Sequence, residues 1–154
     1  MEIIQKEAFW ITGFEVQATF KQLWNRMPEE WDRLFAKADL IHSRKTDTFM
    51  DISFGKNQYG IYTQFIGAAV SGSEGVVPEG MQRIEISAME CLHHQHTGPL
   101  EDIADTFGKM YDWAKENDIN TGEFKIDEGY TPEKMNPLMS YILKFYLSRV
   151  NKIN

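Results

Sequence analysis

Three groups of side chains in this sequence carry chemistry beyond packing. Cys91, His93, His94 and His96 are metal-ligand types close together. In a strand, however, Cys91 and His93 point one way and His94 and His96 the other, so the four cannot close one tetrahedral site without bending the strand. No metal site is expected. The run Glu123 to Tyr130 mixes acids, a base and aromatic rings. Strand alternation puts Phe124, Ile126, Glu128 and Tyr130 on one face and Glu123, Lys125 and Asp127 on the other. The third group is aromatic. Tyr62 and Tyr146 fall in strand-like segments, and Trp113 lies off the apolar stripe of its helix. Such rings can hold a cation for about 0.5–2 kcal/mol. Trp10 and Trp24 join them as weaker candidates, because the first strand and first helix can use both as core.

Other chemistry is missing from the pattern. There is no P-loop, dinucleotide fingerprint, nucleophile elbow or zincin motif, so no catalytic residue and no cofactor is assigned. Gly72 and Gly75 with their serines lack the lysine and helix of a phosphate loop and read as a turn. A formal net charge of −7 has the wrong sign for neutralising phosphates, which argues against direct nucleic-acid binding. No run approaches the roughly 18 apolar residues of a membrane span, so no membrane partner is expected. The single cysteine excludes an intrachain disulfide. The start MEIIQKEAFW has neither the basic region nor the apolar core of a secretory signal, so a cytoplasmic location is expected.

These side chains need a scaffold, and 154 residues suit one domain. Ala8 to Ala18 reads as a strand with a bulge at Gly13. Thr19 and Gln22 form a capping-box pattern before a helical apolar set of Leu23, Met27, Trp31, Leu34 and Phe35, with Pro28 inside it, giving one helix or two short ones. Phe49 to Phe54 and Tyr59 to Val70 read as a hairpin. After a Gly- and Pro-containing loop at 71–80 the order begins again. Gln82 to His96 reads as a strand, and Ile103, Phe107, Met110 and Ala114 mark one face of a helix. Glu123 to Tyr130 and Tyr141 to Val150 read as the closing strands, with a loop at 132–137 between them. The fold class is therefore α+β: two β-α-β-β units, residues 1–77 and 78–154, sharing an antiparallel sheet. The helices are expected on one side, with a central cleft where the halves meet. Such a junction favours a small-molecule pocket.

With these landmarks placed, the chain resembles the GyrI-like family of small-molecule-binding domains, related to effector domains of AraC-type and multidrug-sensing regulators. The resemblance spans nearly the whole chain. It is carried by Leu23-Trp24, Tyr59-Gly60-Ile61-Tyr62, Pro78-Glu79-Gly80-Met81 before Arg83-Ile84-Glu85-Ile86, and His96-Thr97-Gly98-Pro99 ahead of a helix holding Met110-Tyr111-Asp112-Trp113. It implies a cleft that takes bulky, often cationic or aromatic ligands between aromatic walls and one acid. The position where the family places that acid is occupied here by Lys125. Glu128, on the strand face shared with Tyr130, is the expected substitute; the plainer reading is an exposed strand-end carboxylate.

The leading expectation is a ligand-binding protein that holds an organic, aromatic or cationic molecule between Trp10, Trp24, Tyr62, Trp113, Glu128, Tyr130 and Tyr146. One alternative is hydrolysis of reactive small molecules, with Glu128 activating water beside Tyr130 or Trp113. Another is a protein-interaction role with a transcription factor or gyrase as partner, using the acidic surface.

Overall fold

Thr19 ends one long strand and caps the helix that follows. Its hydroxyl accepts from the Gln22 amide at 3.3 Å, and the Gln22 side chain accepts from the Thr19 amide at 3.0 Å, so the capping box forms as the sequence spells it. In the computed structural model, residues 1–135 and 139–150 are described, Lys134 and Met135 by backbone alone. The order is β1 (Glu2–Lys6), β2 (Phe9–Thr19), α1 (Phe20–Lys37), β3 (Phe49–Lys56) and β4 (Ile61–Val70). Then come β5 (Gln82–Ile86), β6 (Met89–Pro99), α2 (Ile103–Glu116), β7 (Thr121–Tyr130) and β8 (Ser140–Arg149). Asn136 and Pro137 of the expected loop lie outside the described residues.

Pro28 sits within one unbroken α1. It lies on the exposed face, where water can take over the carbonyl it leaves unbonded, so the helix continues. Gly13 marks no bulge either. It stands directly across from Gly67 in an unbroken β2–β4 ladder. A side chain on either glycine would run into the backbone of the facing strand, so the pair sets a close approach.

The eight strands form one antiparallel sheet in the order β1-β6-β8-β7-β3-β4-β2-β5. Each half thus has a β-α-β-β unit preceded by a short strand: β1 was not expected, and the single strand expected over Gln82 to His96 is divided at Ser87 and Ala88 into β5 and β6. Those short strands are exchanged: β1 pairs with β6 of the second half and β5 with β2 of the first. Glu2 opposes His93 and Lys6 opposes Met89; beyond a two-residue gap in each strand, Phe9 opposes Ile86 and Gly13 opposes Gln82. The register advances one for one across the gap. β1–β2 and β5–β6 are therefore one kinked ribbon that joins the two ends of the sheet and curls it toward a barrel.

That curl creates two cores. On the outer face both helices pack down, with Leu34 of α1 and Met110 of α2 fully buried against Phe14, Phe145 and Leu147. Each such side chain contributes about 1.5–3 kcal/mol. The inner face carries no helix, yet Ile11, Ile52, Phe65, Cys91 and Ile126 are buried there because the curled sheet closes over itself. Among the described residues no helix is long and apolar enough to cross a membrane.

Candidate functional site

β3 and β7 are neighbours at the middle of the sheet, and the two halves meet along them. On the helix side this seam is the floor of a cleft, walled by α2 residues Ile103, Phe107 and Tyr111 and floored by Asp51, Lys125 and Asp127. The hollow measures about 420 Å³. Gln64 of β4 borders it and also borders a second hollow of about 360 Å³ along α1, lined by Phe20, Leu23, Trp24 and Met27. The two hollows adjoin at Gln64, one with a polar floor and the other with an aromatic ledge.

Asp51 and Asp127 are opposite residues in the β3–β7 ladder. Asp127 is buried, and its Oδ2 accepts a hydrogen bond from the Tyr130 hydroxyl. Burial pushes the Asp127 carboxyl up to about 6, against the opposing pull of the Tyr130 bond and Lys125. Asp51 is raised well above the ordinary carboxylate range by burial first and by Asp127 second, with Lys125 pulling the other way. Two acids this close resist ionising together. Tyr130 is itself raised well above the usual phenol range, by burial and then by the two acids. Lys125 Nζ lies 5.0 Å from the centre of the Phe107 ring, a cation–π contact that holds the ammonium at the wall of the cleft.

Of the residues expected at the site, Tyr130 does line the cleft, with its ring 5.0 Å from Trp31 of α1. Trp24 is 70% exposed on the aromatic ledge beside Phe20. Tyr62 reaches the same ledge, 6.1 Å from the Phe20 ring. The others lie elsewhere. Glu128 and Tyr146 are on the inner, helix-free face, where the Tyr146 hydroxyl donates to Glu128 Oε1 at 2.6 Å. Trp10 and Trp113 pack half-buried against the outer core.

Strict alternation would put Tyr130 on the face of Glu128, but β7 is not an unbroken strand. Phe49 opposes Tyr130 while the next residue, Met50, opposes Glu128, so Gly129 is an extra residue in β7. Its φ of +116° suits glycine. The bulge turns Tyr130 over to the face of Asp127. Asp51 and Gln64 were missed altogether, since a single polar residue in a strand reads as solvent-facing. A hint was available for Asp51: it lies on the same alternation as Phe49, which is buried.

His93 and His96 have structural work. His96 Nε2 can only donate to the Pro99 carbonyl, 3.1 Å away, which leaves Nδ1 to accept from the Thr106 hydroxyl at 2.7 Å. The His-Thr-Gly-Pro motif thereby ties the end of β6 to α2. His93 instead stacks on Tyr146 on the inner face. Among the described residues no three His, Cys, Asp or Glu side chains gather as metal ligands. The turn at Gly72 to Gly75 is clamped by Arg83, whose guanidinium donates to the carbonyls of Ser73 and Gly75 at 2.6 and 3.0 Å.

Residues 2–143 match the model of a family described as integron-associated effector binding protein, Cass2. The chain belongs to this effector-binding family. Its fold is that of GyrI-like domains: it superposes on SAV2435, solved bound to tetraphenylphosphonium, with a TM-score of 0.72 over 97% of this chain and 93% of that one at 12% identity. The integron cassette protein VCH_CASS2 from Vibrio cholerae gives a TM-score of 0.67 at 13% identity, covering 97% of this chain and 95% of that one. EcmrR, solved in a complex with DNA, gives 0.68 at 9% identity over 96% of this chain and 56% of that one, so the Cass2-type domain here spans about half its length. At these identities the shared property is the fold. No curated protein matches in sequence.

Proposed function

We propose that this Cass2-family domain is a cytoplasmic small-molecule binder that holds an aromatic organic cation in the cleft above the β3–β7 seam. The observation that carries this reading is the pairing of a buried acid floor, Asp51 and Asp127, with a groove of exposed rings at Phe20 and Trp24. Carboxylates at the base of a pocket attract positive charge, and ring faces bind flat apolar bodies and cations alike. Family membership and the tetraphenylphosphonium complex of a protein with the same fold support it. Binding and release suffice for this role.

The test is titration of the purified protein with tetraphenylphosphonium and with rhodamine 6G, following tryptophan fluorescence. Micromolar binding that weakens at least about tenfold in Asp127→Asn or in Trp24→Ala is the expected result, since each substitution removes a contact of about 1.4 kcal/mol or more. Saturable binding that neither substitution alters would place the ligand outside this cleft.

A further inference from the structure

The cleft floor has more acceptors than its own donors satisfy. Asp51 Oδ1 and Gln64 Oε1 are both buried without a hydrogen-bond partner among the described residues. Both residues border the main hollow, and Gln64 stands where that hollow meets the aromatic ledge. Buried acceptors are nearly always paired, so two orphans on the floor of one cavity mark the place where a bound molecule supplies donors. Lys125 does not fill that need: it lies over Phe107, and among the described residues neither acid has an ion pair.

From this geometry, and resting on the reading of the cleft as the ligand site, we infer that the pocket selects a primary or secondary ammonium over a cation without N–H groups. The ammonium hydrogens bond to Asp51 Oδ1 and Gln64 Oε1, and the aromatic body lies on the ledge of Phe20 and Trp24. A quaternary ammonium or phosphonium brings charge but no donor. It would leave both oxygens buried and unpaired, and a site built around hydrogen-bonding partners rejects ligands that lack them far more strongly than it rejects a change in apolar size. Gln64 is the specificity residue in this arrangement. Its amide carbonyl adds no formal charge, so it rewards an N–H group more than positive charge alone.

A matched pair of probes separates the two properties. Binding of 2-naphthylmethylammonium and of its N,N,N-trimethyl derivative is measured by calorimetry at pH 7.5, with tetraphenylphosphonium alongside. The primary ammonium is expected to bind at least about thirtyfold more tightly than the trimethyl derivative, and Gln64→Leu to reduce that ratio to about threefold or less by weakening the primary ammonium alone. Asp51→Asn gives a second reading: it should weaken both cations but keep some preference for the primary one through Gln64. Thermal melting confirms that each variant is folded before titration. Equal or tighter binding of the trimethyl derivative, or an unchanged ratio in Gln64→Leu, overturns the inference and leaves the cleft reading standing. If tetraphenylphosphonium binds and the naphthyl amine does not, the inference likewise falls alone. If none of the three binds, the cleft reading fails and takes the inference with it.

Discussion

Asp51 of β3 and Asp127 of β7 face one another across the seam between the two halves of the sheet, on the side that carries the helices. Among the described residues neither has a cation in ion-pair contact. Their shared burial makes negative charge costly there until a ligand or a proton arrives.

Stability should therefore depend on pH through this pair. The Asp127 carboxyl titrates at about 6 in the folded protein against an ordinary 3.8. The folded state consequently holds the proton more tightly than the unfolded one, and stability falls as pH rises from about 4 through about 6. The loss belongs to the pair and is on the order of a few kcal/mol, with Asp51 acting in the same direction as Asp127. Urea unfolding at pH 4.5 and 7.5 is the measurement. Asp127→Asn can still accept from Tyr130, so it should flatten the profile and exceed the wild type at pH 7.5. A variant less stable than the wild type at that pH would contradict this account.

Glu128→Gln separates the two faces of β7. The amide oxygen can still accept from Tyr146, so stability should change by less than about 1 kcal/mol. Rhodamine 6G affinity should stay within about twofold, because no cleft contact is removed. A tenfold loss would instead locate binding on the inner face of the sheet.

Lys125 is the like charge that a cationic ligand must approach. Lys125→Met keeps the chain length and apolar packing on Phe107 while removing the ammonium, so affinity for tetraphenylphosphonium should rise roughly tenfold at low salt and less at high salt. The same change should move the Asp127 titration upward from about 6, since Lys125 now pulls it down. Calorimetry at two ionic strengths tests the first effect and NMR titration the second.

Gly129→Ala tests the bulge. A methyl group there would meet Ile142 O at 3.2 Å and Leu143 Cδ2 at 3.3 Å from a backbone at φ +116°, and such a position costs about 1–3 kcal/mol for a residue other than glycine. The melting temperature should fall, and ligand affinity with it, as Tyr130 loses its place beside Asp127. Gly72→Ala is the control, because nothing lies within 4 Å of an added methyl there.

How far the sequence reads into this site varies with the range of the interaction. The Thr19–Gln22 cap, the apolar stripe of α2 and the hairpin of β3 and β4 all involve neighbours a few residues apart, and each appears where local pattern puts it. Trp24 and Tyr62 reach the groove from elements that local pattern locates, whereas Tyr130 reaches it only through the bulge at Gly129. β1 carries too little alternation in five residues to stand out, and the strand expected over Gln82 to His96 is two, β5 and β6, parted at Ser87 and Ala88. Glu128 was the chosen acid because counting by twos is blind to one inserted residue, and the bulge at Gly129 is such an insertion.

The sequence by itself determined an α+β chain of two similar halves, its helices and most strands, and the expectation of a cleft between them, because these follow from local propensity and periodicity. Only the tertiary structure decided which acids occupy that cleft. Asp51 and Asp127 belong to different halves and meet through the register of β3 on β7, and that register depends on packing over the whole sheet rather than on either strand alone.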